Sequence, residues 1–341
     1  MEAMVLNGQY DLEQERAPLN IKELPKPKIL ENEILINIKA CGVCHTELDE
    51  IEGRTPPPTY PVIPGHEVVG IVAKCGSGVE RYKKGNRVGV AWIYSACGEC
   101  KYCQTGRENL CSDFHATGRD ADGGYAEYMV VNEKFAYPIP EYFTDAEAAP
   151  FLCAGAIGYR SLNLAQIENG MKLGLTGFGA SAHLVLKLSQ YLYPETDIYV
   201  FARSQKQREF ARELGAVWAG DTEDNSPKKL DSIIDTTPAW KPVVEAMENL
   251  SPGGRLVINA IRKEADDKKY LLNLSYSEHL WMEKEIKSVA NVARADPEKF
   301  LQIAAEMEMK PEIEKYSLEE ANQALIDIKS GDSKGAKVLT M

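Results

Sequence analysis

The sequence predicts an α/β protein of two domains, one irregular and β-rich, the other a doubly wound parallel sheet. Three observations lead there. At 341 residues the chain is too long for one ordinary core and suits two. Residues 1 to about 150 form short alternating apolar runs between Pro- and Gly-rich turns, and from Met171 strand-like stretches alternate with helix-like ones. At the first strand-to-helix junction of that second part stands a glycine-rich turn, where open α/β sheets bind ligands.

Taken in order, Ile34 to Ile38 and Val68 to Val72 are strand-like by their alternation. Lys172 to Thr176 is a short buried strand, followed by Gly177-Phe178-Gly179 and an apolar helical run from Ala182 to Leu192. The strand Ile198 to Phe201 leads to a helix from Gln205 to Leu214. The strand Ser232 to Asp235, a helix from Val243 to Leu250 and the strand Arg255 to Asn259 come next. The tail carries a helix near Glu298 to Met307, another near Leu318 to Lys329, and a last strand ending at Leu339. Strands alternating with helices in this way build a parallel sheet covered on both faces.

Composition narrows the function. Hydrophobic residues make up 44% and charged residues 26%, an ordinary globular balance. The net charge is −12 with acids and bases interspersed, which argues against nucleic acid and anionic membrane as partners, since both demand a basic surface. Met1 to Arg16 has no long apolar run, so neither a signal peptide nor a membrane anchor is expected. The expected compartment is the cytoplasm, where the eight cysteines favour metal over disulfides.

Cys97, Cys100, Cys103 and Cys111 follow C-x2-C-x2-C-x7-C spacing. Two-residue gaps let successive thiolates turn onto one ion, and four sulfurs close a tetrahedral shell: a structural zinc site. An iron–sulfur cluster also uses four cysteines, but the bacterial ferredoxin run expects a further cysteine after three residues and then proline, both missing here. Unligated or disulfide-bonded cysteines are the plainer alternative.

The turn Gly177, Phe178, Gly179, Ala180, Ser181, Ala182 follows a strand and opens a helix, as a dinucleotide fingerprint requires. Gly177 permits the tight turn, Gly179 lets the backbone approach the pyrophosphate, and Ala182 stands for the usual third glycine. The second strand normally ends in an acid that bonds the ribose and repels a 2′-phosphate. Here the sequence has Ala202, Arg203 and Ser204, whose guanidinium and hydroxyl suit a phosphate. The expected cofactor is NADP(H) in preference to NAD(H); an exposed arginine at a strand end is the alternative.

Cys44 lies in Gly42-Val43-Cys44-His45-Thr46-Glu47, His66 in Gly65-His66-Glu67, and Cys153 in Phe151-Leu152-Cys153-Ala154-Gly155. Each alone reads as well as a core residue. Together with the four-cysteine lobe and the glycine-rich turn, in this order, they resemble the zinc-containing alcohol dehydrogenases of the medium-chain dehydrogenase/reductase family. The likeness spans essentially the whole chain, and is closest to a bacterial branch through Gly177 to Leu184 and Ser288-Val289-Ala290-Asn291-Val292.

That resemblance implies a catalytic zinc on Cys44, His66 and Cys153, with Glu67 as an acidic neighbour or transient ligand and Glu47 orienting the histidine. It implies that Thr46 passes on the alcohol proton, that His45 contacts the cofactor pyrophosphate, and that Trp92 narrows the substrate pocket. The relay of many relatives ends at a histidine where this chain has Asp49. Where relatives place an arginine before the last strand, this chain has Ala336, followed by Lys337. The implied fold is a GroES-like β-barrel over residues 1–151, completed by 288–341, and a Rossmann domain over 152–287, with the cofactor between them. Two zincs, a small alcohol or aldehyde substrate and a homodimer or homotetramer complete the expectation. The rivals are a zinc-free quinone or enone reductase of the same superfamily, and a non-catalytic redox sensor using the leftover Cys41 and Cys75.

Overall fold

A computed structural model describes residues 1–331 and 335–341, with the side chain of Ala180 outside the description. The chain divides into two compact units, 1–156 with 292–341, and 157–291. The junctions fall slightly C-terminal of the 151/152 and 287/288 positions expected from the sequence, so Cys153 belongs to the first unit.

The first unit begins with β1 (Glu2–Leu6), β2 (Leu19–Glu23) and the long β3 (Glu33–Val43), whose alternate residues Ile34, Ile36, Ile38 and Ala40 are fully buried. α1 (His45–Ile51) follows, then β4 (Glu67–Cys75), β5 (Arg87–Val90), β6 (Ile93–Ser95), β7 (His115–Ala116), β8 (Tyr128–Asn132) and β9 (Ala136–Pro138). α2 (Asp145–Ala148) starts from a Thr144/Glu147 capping box and runs into a 3-10 turn, Ala149–Leu152. α3 (Ala154–Ala165) carries the chain into the second unit.

The second unit is a six-stranded, wholly parallel sheet of β10 (Lys172–Thr176), β11 (Asp197–Phe201), β12 (Trp218–Gly220), β13 (Leu230–Asp235), β14 (Leu250–Ile258) and β15 (Glu285–Ser288). Their spatial order is β12-β11-β10-β13-β14-β15, the Rossmann order, which places the switch point between β10 and β13. α4 (Ala180–Leu192), α5 (Gln205–Glu213) and α6 (Lys241–Asn249) connect them. The inner strands are buried on both faces, as parallel strands between helices must be. The core includes Phe201, Leu230, Ile233, Met247 and Leu256.

The chain returns to the first unit with α7 (Ala295–Glu306), β16 (Ile313–Ser317), α8 (Ala321–Ser330) and β17 (Ala336–Thr340). β17 pairs antiparallel with β3, closing the order β16-β17-β3-β4-β5-β9, with β8 also on β3. The last helix starts later than expected. A Ser317/Glu320 capping box winds Leu318–Glu320 as a 3-10 turn before the α-helix begins. Among the described residues no helix is long and apolar enough to cross a membrane.

Candidate active site and metal centres

Three backbone segments converge where β3 ends, β4 begins and the 3-10 turn Ala149–Leu152 ends. Cys44 follows β3 and is the N-cap of α1, its Sγ accepting from the Thr46 amide at 3.4 Å. Glu47, in the helix's first turn, closes the capping box by accepting the Cys44 amide on Oε2 at 2.8 Å. Its Oε1 lies 2.6 Å from Nδ1 of His66, so Nε2 of that ring faces Cys44 Sγ at 3.6 Å. Glu67 sits opposite Gly42 in the β3–β4 register. A Cβ on Gly42 would stand 1.7 Å from Glu67 Oε2, so only glycine leaves room for that carboxylate. Cys153 arrives from the end of the 3-10 turn.

The ligand atoms of Cys44, His66, Glu67 and Cys153 all lie within 4.8 Å of one another. Burial pushes the Glu67 carboxyl up to about 8. The neighbouring Cys153 thiol, together with burial, holds Cys44 well above the ordinary thiol range. For Cys153 the contact with Cys44 works the other way, and burial still raises it. These groups resist ionising together because their charges have no counterweight, and a divalent cation supplies one. Two thiols, an imidazole nitrogen and a carboxylate, with the second imidazole nitrogen on an acid, form a donor set that fits zinc.

The four-cysteine lobe is equally compact. Sγ separations are 3.5 Å for Cys97–Cys111, 3.6 Å for Cys100–Cys103 and 3.8 Å for Cys97–Cys103. A tetrahedron with metal–sulfur bonds of about 2.3 Å has edges of about 3.8 Å, which these separations match. Backbone amides of Glu99 and Cys100 lower the Cys97 thiol to about 7. None of the eight cysteines is in a disulfide.

Other expected site residues lie as follows. Thr46 is half-buried and His45 exposed, both in the first turn of α1. Trp92 is half-buried, its ring 5.5 Å from that of Phe114 at a tilt of 39°. Asp49 is nearly buried with its carboxylate paired to Arg54, which also holds Glu52. Lys337 is buried and paired with Glu314 inside the same unit, so it is committed there as a structural cation.

In the second unit, Gly177 has φ +78°, and a Cβ there would meet Thr237 Cγ2 at 2.8 Å. Gly179 is the N-cap of α4 with open space beside it, Ser181 is half-buried and Ala182 fully buried. Ala180, expected to touch the cofactor, lies outside the described side chains. Ala202 is buried just past β11, Arg203 is exposed, and Ser204 is the N-cap of α5 with a side chain that makes no capping bond. Arg208 was not singled out from the sequence. Its Nη1 donates to the carbonyls of Ala202 at 2.7 Å and Arg203 at 2.9 Å, and pairs with Asp221 at 2.8 Å, fixing this turn.

Residues 30–141 match the alcohol dehydrogenase GroES-like domain. A protein named probable alcohol dehydrogenase AdhA, from Mycobacterium tuberculosis, is 42% identical over 92% of this chain and 90% of its own. An alcohol dehydrogenase of Geobacillus stearothermophilus is 33% identical over 95% of this chain and 96% of its own. Among solved structures, a cinnamyl alcohol dehydrogenase of Sorghum bicolor matches at a TM-score of 0.83 and 27% identity, covering 100% of this chain and 98% of that one. A thermostable alcohol dehydrogenase of Pyrobaculum aerophilum gives a TM-score of 0.86 at 23% identity, with 100% and 99% covered, and so speaks to the fold. The chain belongs to the zinc-containing alcohol dehydrogenases of the medium-chain dehydrogenase/reductase family, in a bacterial branch. It is an NAD(P)-dependent alcohol dehydrogenase with a GroES-like domain and a Rossmann-type domain.

Proposed function

We propose that the chain reduces small primary aldehydes, or oxidises the matching alcohols, at a zinc held by Cys44, His66 and Cys153. Glu67 stands as an alternate ligand, and a second, structural zinc sits on Cys97, Cys100, Cys103 and Cys111. The observation that carries this reading is the convergence of four ligand atoms within 4.8 Å around a histidine whose other nitrogen meets Glu47. When bound there, zinc polarises a carbonyl or lowers the pKa of an alcohol. Glu47 fixes the imidazole so that Nε2 is the ligand atom. Gly42 leaves Glu67 room to reach the thiols. Thr46 carries the hydroxyl that accepts the alcohol proton. Asp49 is a poor terminus for that relay, because Arg54 already occupies its carboxylate.

The second unit carries the nicotinamide cofactor on the 177–182 turn, and NADP(H) is preferred. Supporting this are a missing acid at Ala202, the exposed Arg203, and a Ser204 hydroxyl unspent on its own helix. Trp92 against Phe114 favours slender substrates. The enzyme works in the cytoplasm as a homo-oligomer. β15 is an exposed edge strand with Ile286, Trp281 and Met282 uncovered nearby, and sheet edges of this kind invite a second copy.

Elemental analysis beside an NADPH-linked aldehyde assay tests the reading. Two zincs per chain, with activity lost as the more labile one is chelated, are expected. One tight zinc with chelator-insensitive turnover would move the protein to the zinc-free reductases.

A further inference from the structure

A buried lysine fastens the backbone opposite the glycine-rich turn, and the whole arrangement lies inside the second unit. Asp235 closes β13 at the switch point and is fully buried. Lys263, from the stretch after β14, reaches back to pair with its Oδ2, and the lysine side chain is itself only 7% exposed. Nζ also donates to the carbonyls of Thr237 at 2.7 Å and Ala239 at 3.0 Å. An ammonium carries three N–H donors, so this one is fully engaged. The other oxygen of Asp235 accepts the Thr237 hydroxyl at 2.7 Å and the Thr237 amide at 3.2 Å. Thr236, between them, ties its amide at 2.9 Å and its hydroxyl at 3.1 Å to the Thr176 carbonyl at the end of β10.

The fastened segment bears directly on the turn. A Cβ at Gly177 would stand 2.8 Å from Thr237 Cγ2 and 3.0 Å from Thr236 Oγ1, so the two threonines press on the residue whose positive φ makes the turn. Ligands of open α/β sheets lie in the crevice at such a switch point. We propose that Lys263 is a positioning residue for the nicotinamide cofactor, an assignment that rests on the dinucleotide reading above. It clamps residues 235–239 so that the Gly177–Gly179 turn stands preformed to receive the pyrophosphate. With every donor engaged, Lys263 acts through this segment and does not touch the cofactor. Without it, the Thr237 and Ala239 carbonyls lose their donor, Asp235 loses its counter-charge, and the segment is free to leave the turn. Apparent affinity falls with the fraction of molecules that keep the competent arrangement, so a turn formed in about a tenth of them binds about tenfold more weakly. The pyrophosphate is common to NADPH and NADH, so the loss is the same for both.

Fluorescence titration of the zinc-loaded protein with NADPH and with NADH tests this. Lys263→Met keeps the apolar stem and removes the ammonium. Both Kd values are expected to rise by about tenfold, in equal proportion, with the kinetic loss falling on KM for the cofactor far more than on kcat. A folded variant with the Kd values of the parent would overturn the proposal, because the ion pair would then only stabilise the sheet. A loss confined to NADPH would also overturn it, since the ammonium would then meet the 2′-phosphate itself. Should the unpaired carboxylate keep the single variant from folding, Asp235→Asn combined with Lys263→Met removes the buried charge, and the same titration decides. A parent chain that bound neither cofactor would instead strike the dinucleotide reading, and this assignment with it.

Discussion

Replacing Glu47 by glutamine should loosen the catalytic zinc while leaving the fold in place. Glu47 is fully buried and serves two donors, the Cys44 amide at 2.8 Å and Nδ1 of His66 at 2.6 Å. Glutamine keeps the shape but has one acceptor oxygen. If that oxygen takes the fixed Cys44 amide, the new NH2 group faces Nδ1, which must then accept. The ring proton moves to Nε2, the atom that should ligate. Loss of such a carboxylate partner costs roughly 10- to 100-fold in metal affinity, which is about 1.4–2.7 kcal/mol. Alanine goes further, leaving two buried donors without acceptors at about 1–3 kcal/mol each. The metal-free Glu47→Ala protein should therefore lose about 2–6 kcal/mol in denaturant unfolding, and Glu47→Gln much less. Competition against a chromophoric chelator measures the zinc affinity. A Glu47→Gln variant that holds the labile zinc as tightly as the parent would refute the argument, because Glu47 would then not set the tautomer.

Other outcomes follow from the same geometry. Gly42→Ala puts a Cβ 1.7 Å from Glu67 Oε2. It should expel that carboxylate and lower kcat with little change in four-cysteine zinc content, read by kinetics beside metal analysis. Arg203→Ala should cut kcat/KM for NADPH by about five- to thirtyfold, the worth of about 1–2 kcal/mol from one partly solvated charged contact, and leave NADH nearly unaffected. Equal losses with both cofactors would count against a 2′-phosphate contact. Burial between the rings of Phe178 and Phe210, helped by Lys187, lowers His183 to about 4 from its ordinary 6.5. The native state therefore refuses a proton that the unfolded chain accepts, so stability is full above pH 6.5 and falls as pH drops toward 4. Discounted for partial exposure, the loss is about 1–2 kcal/mol. His183→Gln should flatten that part of the unfolding profile in denaturant titrations.

What the sequence determined by itself was local. The C-x2-C-x2-C-x7-C run keeps its four sulfurs close however the rest folds, because short spans between thiolates restrict them to one small volume. The strand, glycine turn and helix from Lys172 to Leu192 are likewise legible, since apolar patterning and the positive φ of Gly177 are properties of contiguous residues. The three-residue β12 and the fully exposed β15 gave no such pattern, and their pairing with β11 and β14 defines them. Only the tertiary structure brings Cys44, His66, Glu67 and Cys153 within 4.8 Å, through the β3–β4 register and the 3-10 turn before α3. Family likeness pointed to that set, and nothing in its spacing did. The same holds where no likeness helped. Arg54 on Asp49 and Arg208 across the Ala202–Arg203 carbonyls are meetings of ordinary residues. Residue type and order carry no mark of them. What gives each its role is the loss of water around it, and that is decided only when distant segments pack.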